Sequence, residues 1–350
     1  MNPTDFYLKL AENKAALLEI VQQFAQTSLM VIGDIALDEF VTGETERISR
    51  EAPVVIVRHE QTKQVLGGGG NTMANLATLG AKVLAVGRIG KDYYGQAVLQ
   101  CLEEKEIAIE GIFSLPHFTT TAKTRIAAHA RQSVTQQIVR IDRKEKQPFV
   151  APDAAEMAAF ISTNRPKVKA IVCADYGEGV LEKTVLEAAL QHELVIVDAQ
   201  KDLFRYKGAT IFTPNLPEAE QAVGYFIADE KTLFQAGNDL LQLTEAKYIL
   251  ITQGEKGMTL FEKGENEVIM SHIPAFNQRQ VFDVTGAGDT VTAVLALALS
   301  LNATAWQAAV LGNLAASVVV QTFGTATITQ EELRENLTRM NYVTLLDNYT

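Results

Sequence analysis

The stretch DVTGAGDTVTAVLALAL, residues 283–299, joins a turn with two glycines to a segment that is apolar on nearly every side. A helix without a polar face has to be buried. Its first turn would present backbone N–H groups and the positive end of the helix dipole to whatever lies in front of it. Gly286 and Gly288 carry no side chains that would keep a phosphate away from those groups. We therefore predict a buried helix whose first turn, residues 286–288, binds an anion.

Asp289 is the acidic residue that follows this turn. A carboxylate beside an anion-binding turn repels a phosphate, unless it accepts a proton from the hydroxyl group that attacks the phosphate. The alternative is an aspartate that serves only as a favourable charge in the first turn of the helix. For this stretch taken alone, both interpretations stay open.

Outward from this stretch, short apolar runs alternate with longer segments of helical pattern. Such runs are typical of strands that are buried on both faces, and the intervening segments are long enough for crossover helices. The pattern predicts an α/β fold with a mostly parallel central sheet wrapped by helices. The apolar runs are residues 29–32, 83–86, 170–173, 194–197 and 248–251.

Two regions, residues 36–60 and 117–143, show an alternation of apolar and polar residues instead. This alternation indicates strands with one solvated face. We predict a small antiparallel β lid that emerges from the main sheet; the alternative is a pair of irregular hairpins packed on the body. No internal repeat, proline-rich linker or block of charged residues divides the sequence, so we expect residues 1–350 to form a single domain with this lid.

Composition excludes several classes of function. The formal net charge of -11 disfavours nucleic acid or an anionic membrane as a partner. The longest apolar segment, residues 291–301, is about half the ~20 residues needed to cross a bilayer. No secretory signal is evident, so we expect a cytoplasmic protein. Cys101 and Cys173 stand far apart and indicate neither a disulfide framework nor a zinc site.

A second glycine cluster, Gly67 to Gly70, precedes Asn71 and a helical segment at residues 72–80. Glycines allow a ligand to approach the backbone closely, and Asn71 and Asn75 would share one helix face. This arrangement suits the hydroxyl groups of a sugar, although a flexible loop followed by a helix would give the same pattern.

Further polar residues follow the predicted strands at the edge where open α/β sheets bind ligands. Asp34 and Asp38 follow the first strand and are candidates for accepting hydrogen bonds from sugar hydroxyls. Asn215 and Glu218 follow a later strand, where Glu218 would orient a hydrated Mg²⁺, with helix capping as the alternative for Asn215. The glycines of the turn at 252–257, Gly254 and Gly257, would border a nucleotide or form only a hairpin.

Several familiar chemistries are disfavoured by the letters of the sequence. No segment fits the P-loop or the Gly-x-Gly-x-x-Gly dinucleotide pattern. The pair His192-Glu193 lacks the second histidine of a zinc protease, and no Gly-x-Ser-x-Gly elbow occurs.

Residues 29–337 resemble the ribokinase/PfkB carbohydrate-kinase family. The run at 283–289 is similar to the C-terminal signature of that family, and Gly67-Gly68 with Asn71 is similar to its N-terminal glycine signature. The resemblance implies a three-layer α/β/α ribokinase-like fold with a β lid, and an enzyme that uses ATP and Mg²⁺. It also implies that Asp289 is the catalytic base and that the anion hole consists of Gly286, Ala287 and Gly288.

The same resemblance assigns further residues. Asn215 and Glu218 match an element near Mg²⁺ and phosphate, and a nucleotide site is implied at Thr252, Gly254 and Asn313. Asp283 and Thr285 match positions that serve a monovalent cation such as K⁺ in some members.

Residues 33–38, 47–54 and 67–75 resemble the kinase module of D-glycero-β-D-manno-heptose 7-phosphate kinases, including the bifunctional ADP-heptose synthesis proteins. The resemblance implies phosphorylation of O1 of that sugar phosphate, with Arg47 in the substrate region. Ala199-Gln200 stands where such kinases usually have Pro-Lys, so the basic residue for the sugar phosphate is left open. Candidates by charge are Arg47, Arg88, Lys123, Arg125 and Lys201.

Three further expectations accompany this interpretation. The chain contains no His-x-Gly-His motif, so we expect no nucleotidyltransferase domain. The partners should be a sugar or sugar phosphate and ATP, and exposed edge strands favour a homodimer through the lid. The alternatives are a kinase for another sugar, sugar phosphate or nucleoside, and a sugar or nucleotide sensor without catalytic activity.

Overall fold

The computed structural model describes residues 3–130, 134–145, 151–265, 267–276, 284–322 and 325–340, and these ranges hold two sheets and the helices around them. The strands are β1 Ser28–Gly33, β2 Ile35–Ile48, β3 Val55–Gly68, β4 Lys82–Gly90, β5 Ala108–Leu115, β6 Thr121–His129, β7 Gln136–Arg143, β8 Ala170–Asp175, β9 Val195–Ala199, β10 Ile211–Phe212, β11 Tyr248–Thr252, β12 Met258–Lys263 and β13 Val268–Ile273. The α-helices are α1 Pro3–Gln22, α2 Gly69–Thr78, α3 Tyr93–Glu103, α4 Ala151–Asn164, α5 Lys183–Ala189, α6 Leu216–Val223, α7 Glu230–Thr244, α8 Ala287–Ser300, α9 Ala305–Val319 and α10 Gln330–Arg339.

The main sheet has nine strands in the order β13-β12-β11-β10-β9-β8-β1-β4-β5. The strands from β5 to β11 pair in parallel, and β12 and β13 add an antiparallel edge. Each of the five apolar runs predicted from the sequence falls on a strand of this sheet, with Leu194 alone lying one residue before its strand, β9. The predicted mostly parallel sheet is therefore confirmed.

Side chains of the central strand β1 alternate between two apolar layers. Leu29 and Val31 pack into the layer that contains α1, α2, α8 and α9, and Met30 and Ile32 pack into the layer of α4, α5 and α7. A strand covered on both faces has no solvated side, which explains why its sequence is continuously apolar. The sheet with helices on both faces gives the three-layer α/β/α arrangement.

Helix α8 is buried along nearly its whole length, as its apolar sequence predicts. It packs between α2 and α9 and against β8 and β9. This packing fixes the position of its first turn relative to α2, which follows the other glycine cluster. None of the described helices is both long enough and apolar enough to cross a bilayer.

The lid is a separate sheet of four strands in the order β3-β2-β6-β7. The pairs β2-β3 and β6-β7 are antiparallel, as expected, while the central pair β2-β6 is parallel. The parallel pairing arises because the chain passes through α2, β4, α3 and β5 of the body before it returns to the lid. Two hairpins thus join into one sheet rather than packing separately.

The lid strands are longer than the alternating sequence pattern at residues 36–60 predicts. Strand β3 continues to Gly68 and α2 begins at the next residue, so the glycine cluster spans a strand end and a helix start. A residue with a side chain at Gly67 would bring its Cβ within 2.5 Å of the Asp38 carboxylate. Strand β3 therefore continues past the end of the alternating sequence pattern, through glycines that carry no side chain.

Candidate active site

A cleft of about 230 Å³ lies between the carboxyl ends of the main-sheet strands and the lid. Five carboxylates and two cationic side chains are among the residues that line it. The lining residues are Asp38, Gly68, Lys123, Arg125, Asp175, Tyr176, Asp198, Gln200, Thr213, Asn215, Glu218, Thr252, Thr285, Gly286, Gly288, Asp289 and Thr325. The cleft therefore brings together residues from both glycine clusters and from the lid.

Asp289 lies in the first turn of α8 with 7% of its surface exposed, and three side chains donate hydrogen bonds to its carboxylate. Asn71 Nδ2 donates to Oδ2 at 2.7 Å, and Thr72 Oγ1 donates to Oδ1 at 3.1 Å. The Tyr176 hydroxyl also donates to Oδ1. Burial raises the pKa of Asp289, and the three donors oppose that rise because they stabilise the ionised form. This carboxylate is held in a defined orientation at the cleft wall.

The turn before α8 has the conformation that its glycines predict. Gly286 has φ 81°, and a Cβ there would lie 2.5 Å from Asn71 Nδ2, so both the backbone and the neighbouring side chain require glycine. A Cβ on Gly288 would meet nothing within 4 Å, because this residue borders the cleft. The Ala287 N–H donates to the Val284 carbonyl at 3.2 Å. Of the predicted anion hole, Gly286 and Gly288 line the cleft, while the Ala287 amide closes the turn.

The residues that the sequence predicted to bind a sugar fall into two groups. Asp38 lines the cleft with Gly68 and accepts a hydrogen bond from Arg125 Nη1 at 2.7 Å. Asn71 and Asn75 lie one turn apart, as predicted, and Asn75 Nδ2 donates to the Asn71 carbonyl at 2.9 Å. Thus Asp38 faces the cleft directly, and Asn71 acts on it through Asp289.

Asp34 does not line the cleft. Its carboxylate accepts the backbone N–H groups of Tyr176, Glu178 and Val180 at 2.9, 2.9 and 3.0 Å. Burial, opposed by these bonds, raises the pKa of Asp34 to about 6. Asp34 therefore lies under the loop that follows β8 and holds Tyr176 at the cleft, whereas the sequence suggested direct contact with a sugar.

The five basic residues that are candidates for binding the sugar phosphate lie in different parts of the structure. Arg47 is exposed near the far end of β2, and Lys201 is exposed after β9. Arg88 is buried, where its guanidinium donates to the Glu178 carbonyl and packs over the Phe118 ring. Only Lys123 and Arg125 of this set line the cleft, together with Gln200.

Asn215 and Glu218 cap a helix, which is the alternative that the sequence left open for Asn215, and they also line the cleft. The Asn215 side chain accepts the Glu218 N–H at 2.9 Å, and the Glu218 carboxylate accepts the Asn215 N–H at 2.9 Å, which forms a capping box on α6. Both residues also line the cleft, and Thr252 pairs with Asn215 in a parallel bridge. Burial raises the pKa of Glu218.

A larger cavity of about 550 Å³ is lined in part by Leu216 and Gln253, the residues that directly follow Asn215 and Thr252 in the chain. Its lining includes apolar side chains from α6, α7 and β13, and residues of the turn that contains Gly254 and Gly257. Gly257 has φ 86°, and a Cβ there would collide with the Ile273 carbonyl. Asn313 is buried and donates to the carbonyl of Pro274, which also lines this cavity, at 2.8 Å. The apolar lining members are Phe6, Leu216, Ile227, Ala228, Leu233, Met270 and Pro274.

The residues predicted to bind a monovalent cation are only partly described. Thr285 lines the cleft, and Asp283 lies outside the described residues. Among the described side chains, no three His, Cys, Asp or Glu residues form a cluster that would hold a metal ion by themselves. Mg²⁺ usually keeps several waters and binds through one or two carboxylates plus substrate phosphates. The carboxylates of Glu218 and Asp198 in the cleft fit that kind of site.

Sequence reasoning missed Tyr176, Asp175 and Asp198. Asp175 is the last residue of the buried strand β8, and Asp198 is the last but one of the buried strand β9. The rule applied to Asp34, which looks for polar residues at the carboxyl ends of such strands, would have found both. Burial and the charge of Asp289 raise the pKa of Asp198 to about 8, and the Thr292 hydroxyl donates to it at 3.3 Å. Tyr176 follows Asp175 in a glycine-containing loop that carries no familiar motif.

Comparisons with known proteins identify the family of this chain. The family described as pfkB family carbohydrate kinase matches residues 26–332. The chain is 40% identical over 323 residues to a "Bifunctional protein HldE" of Desulfatibacillum aliphaticivorans, covering 91% of this chain and 64% of the relative. The protein of the same name from Geobacter metallireducens is 40% identical over 310 residues, covering 87% and 61%. The chain thus spans a little less than two thirds of the length of these relatives.

Solved structures show the same fold. Arabidopsis thaliana ribokinase complexed with ribose and ATP matches with a TM-score of 0.67 and 21% identity, over 90% of this chain and 99% of that one. Phosphofructokinase-2 from Escherichia coli in complex with potassium matches with a TM-score of 0.69 and 16% identity, over 89% and 98%. At these identities the match establishes the ribokinase-like fold alone.

Proposed function

Because this chain belongs to the pfkB family of carbohydrate kinases, we propose that it transfers the γ-phosphoryl group of ATP to a sugar hydroxyl with Asp289 as the general base. The observation that carries the proposal is the placement of the Asp289 carboxylate. It is buried, oriented by three donors, and shares one cleft with Asp38, Gly286 and Gly288.

In this mechanism the sugar hydroxyl gives its proton to Asp289 as its oxygen attacks the γ-phosphorus. The bond from that phosphorus to the β-γ bridging oxygen breaks, and ADP leaves with the electron pair. Apart from the Ala287 amide, which closes the turn, the first-turn N–H groups of α8 and the positive end of its dipole stabilise charge on the transferring group. Mg²⁺, when bound, neutralises phosphate charge as the reaction proceeds. Positioning and electrostatics supply most of such a rate enhancement.

The nucleotide would extend from the cleft across Asn215 and Thr252 into the larger cavity, whose apolar walls suit a planar base. Glu218 would hold the hydrated Mg²⁺ near the phosphates, with Gly254, Gly257 and Asn313 shaping the base site. Thr285, with Asp283, would serve a monovalent cation. Comparing turnover in KCl with turnover in tetramethylammonium chloride tests the cation role.

For the sugar, we favour D-glycero-β-D-manno-heptose 7-phosphate, phosphorylated at O1. The sequence resemblance and the relatives named HldE support this substrate. The objection raised by Gln200 is weakened because Lys123 and Arg125 supply positive charge in the same cleft. ADP release measured with heptose 7-phosphate, fructose 6-phosphate, ribose and adenosine separates the alternatives, and inactivity with the first would reject this assignment.

The lid would close over the bound sugar and also contact a second copy of the chain. Its strands expose apolar side chains, and its edges β3 and β7 are open within the described residues. Open edges and exposed apolar groups favour pairing with another chain. Light scattering on the wild type and on Ile48→Glu tests the dimer, which the variant should dissociate. The exposed apolar residues are Ile48, Val54, Val55, Ile138, Val139 and Ile141.

The decisive experiment for catalysis is Asp289→Asn. Asparagine keeps the size of the side chain but cannot take the proton. We expect turnover to fall by at least about 10²-fold, the scale on which loss of one well-placed transition-state group acts. Thermal unfolding of the variant checks its fold. Near wild-type turnover in a folded variant would overturn the proposed role.

A further inference from the structure

Tyr176 is fixed at the cleft from two sides. Its backbone N–H donates to Asp34 Oδ2 at 2.9 Å, and its side-chain hydroxyl donates to Asp289 Oδ1. The next residue, Gly177, has φ 76° and donates its N–H to Asp175 Oδ1 at 2.8 Å, which closes the loop tightly. Tyr176 is therefore anchored through its backbone to the buried Asp34 carboxylate and through its hydroxyl to the Asp289 carboxylate.

The two oxygens of Asp289 differ in how many donors they receive from the described residues. Oδ1 accepts the Tyr176 hydroxyl and the Thr72 hydroxyl, whereas Oδ2 accepts only Asn71 Nδ2. A carboxylate oxygen has about two acceptor directions. Among the described residues, the donors thus fill Oδ1 and leave one acceptor direction on Oδ2.

We propose that Tyr176 is a positioning residue that fills Oδ1 of Asp289 and so directs the substrate hydroxyl to Oδ2. This inference rests on the proposed function, because it requires Asp289 to be the base. Tyr176 does not itself exchange the proton: its hydroxyl fixes the rotation of the carboxylate and stabilises its ionised form. Asp34 supports this role because it anchors the backbone from which the ring projects.

Other charged groups also face Asp289 and the Tyr176 ring. Lys123 from β6 lies 5.9 Å from the ring centroid, and Arg125 from the same strand is paired with Asp38 of β2. Asp198 and Glu218 line the same cleft from β9 and α6. A phenylalanine at 176 leaves all of these charges in place. A change in the titration of Asp289 in that variant therefore reports the lost hydrogen bond.

The test compares Tyr176→Phe with Tyr206→Phe in the full chain. Tyr206 is a matched control because it is also buried and also donates its hydroxyl to a carboxylate, that of Asp175. We measure kcat, KM for ATP and the pH profile of kcat/KM for heptose 7-phosphate. The acid limb of that profile reports the base of the free enzyme.

Loss of the Tyr176 hydroxyl removes a donor to the ionised carboxylate, which raises the pKa of Asp289. We expect the acid limb to move upward by about one pH unit, the equivalent of one hydrogen bond to a charged group. A loosened carboxylate should also lower kcat by about 10- to 100-fold, with KM for ATP nearly unchanged. Tyr206→Phe should leave the acid limb in place, whatever its effect on stability.

A wild-type kcat and acid limb in Tyr176→Phe would overturn the inference, and so would an equal shift in Tyr206→Phe. If Tyr176→Phe does not fold, 3-fluorotyrosine at position 176 keeps the ring and the hydroxyl. Its more acidic phenol is a stronger donor, so the acid limb should move downward, and an unmoved limb contradicts the inference. Asp289→Asn separates the two proposals: if that variant stays active, the proposed function itself fails.

Discussion

The cleft and the larger cavity are built from different kinds of residue, although Asn215 and Thr252 of the cleft directly precede Leu216 and Gln253 of the cavity wall in the chain. The cleft is small and crowded with charge, and its side chains are oriented by hydrogen bonds between elements. The cavity is more than twice as large, and apolar side chains contribute much of its wall. Reaction chemistry needs oriented polar groups, whereas an aromatic base needs mainly a surface of the right shape. The difference predicts that substitutions in the cleft act strongly and selectively, and those in the cavity weakly.

The largest effect on sugar use should come from Asp38→Ala. Asp38 is buried and paired with Arg125, so removal of its carboxylate deletes a ligand for the sugar and leaves a cation unpaired. Breaking such a pair costs about 2–5 kcal/mol, and we expect kcat/KM for the sugar to fall by about 10²–10³-fold. Steady-state kinetics with both substrates measures this, and KM for ATP should change little.

Glu39→Ala is the control for that variant. Glu39 is the next residue of β2 and is also buried, but it accepts hydrogen bonds from Gln64 and Thr124 and does not line the cleft. Its kcat/KM for the sugar should stay near the wild-type value in folded protein. Equal losses in both variants would show that the lid, rather than the Asp38 carboxylate, is responsible.

The second largest effect is expected from Lys123→Gln, which tests how the protein recognises the phosphate group of the sugar. Lys123 lines the cleft near the position where Gln200 replaces the expected lysine. One hydrogen bond to a charged group contributes about 1.5–3 kcal/mol, so kcat/KM for heptose 7-phosphate should fall by about 10- to 100-fold. The matched substrate is the heptose without its phosphate, for which the variant and the wild type should differ little.

Lys144→Gln is the control variant, because Lys144 is an exposed lysine that pairs with Glu178, in the loop that follows β8. We expect wild-type selectivity between the two sugars in that variant. If Lys123→Gln loses activity equally with both sugars, its ammonium does not recognise the phosphate.

A smaller effect is expected from Ile227→Val in the larger cavity. The change removes one methylene from the apolar wall. Burial of a methylene is worth about 0.8 kcal/mol, so KM for ATP should rise about fourfold while KM for the sugar stays constant. Ile269→Val, at a half-exposed site on β13 that does not line the cavity, is the control. A change in the KM for the sugar instead would contradict the separation of the two sites.

The contrast between the cleft and the larger cavity also explains which features of the molecule can be predicted from its sequence. Buried strands and helix α8 are recognisable because burial on all sides requires continuously apolar residues. The two glycine clusters are recognisable because Gly67 and Gly286 lie where a Cβ would clash with Asp38 or Asn71. Local chemistry of this kind leaves a local pattern.

Other features depend on contacts between distant segments and leave no such pattern. The hydrogen bond from Tyr176 to Asp289 joins residues 113 positions apart. Asp34 looked like a sugar ligand because it follows a strand, yet three amides of a loop far along the chain occupy it. The apolar wall of the cavity combines α6, α7 and β13, whose sequences resemble those of any packed element.

The smallest effect is one on stability, from Asp198→Asn. Burial and the nearby charge of Asp289 raise the pKa of Asp198 to about 8, far above the ordinary aspartate value of about 4. An acid whose pKa is raised by folding destabilises the protein increasingly as pH rises from about 4 to about 8. Asparagine stays neutral, so the variant should gain stability over the wild type across this window. At pH 8 we expect a Tm higher by about 2–4 °C, and near pH 4 no gain.

Thermal unfolding across that pH range measures the effect, and Glu46→Gln, an exposed carboxylate on the lid, should show no pH-dependent gain. Activity should fall in Asp198→Asn even as Tm rises, because Asp198 is one of the two carboxylates in the cleft that fit a hydrated Mg²⁺. A Tm gain that does not depend on pH would mean that charge in the cleft is not its cause.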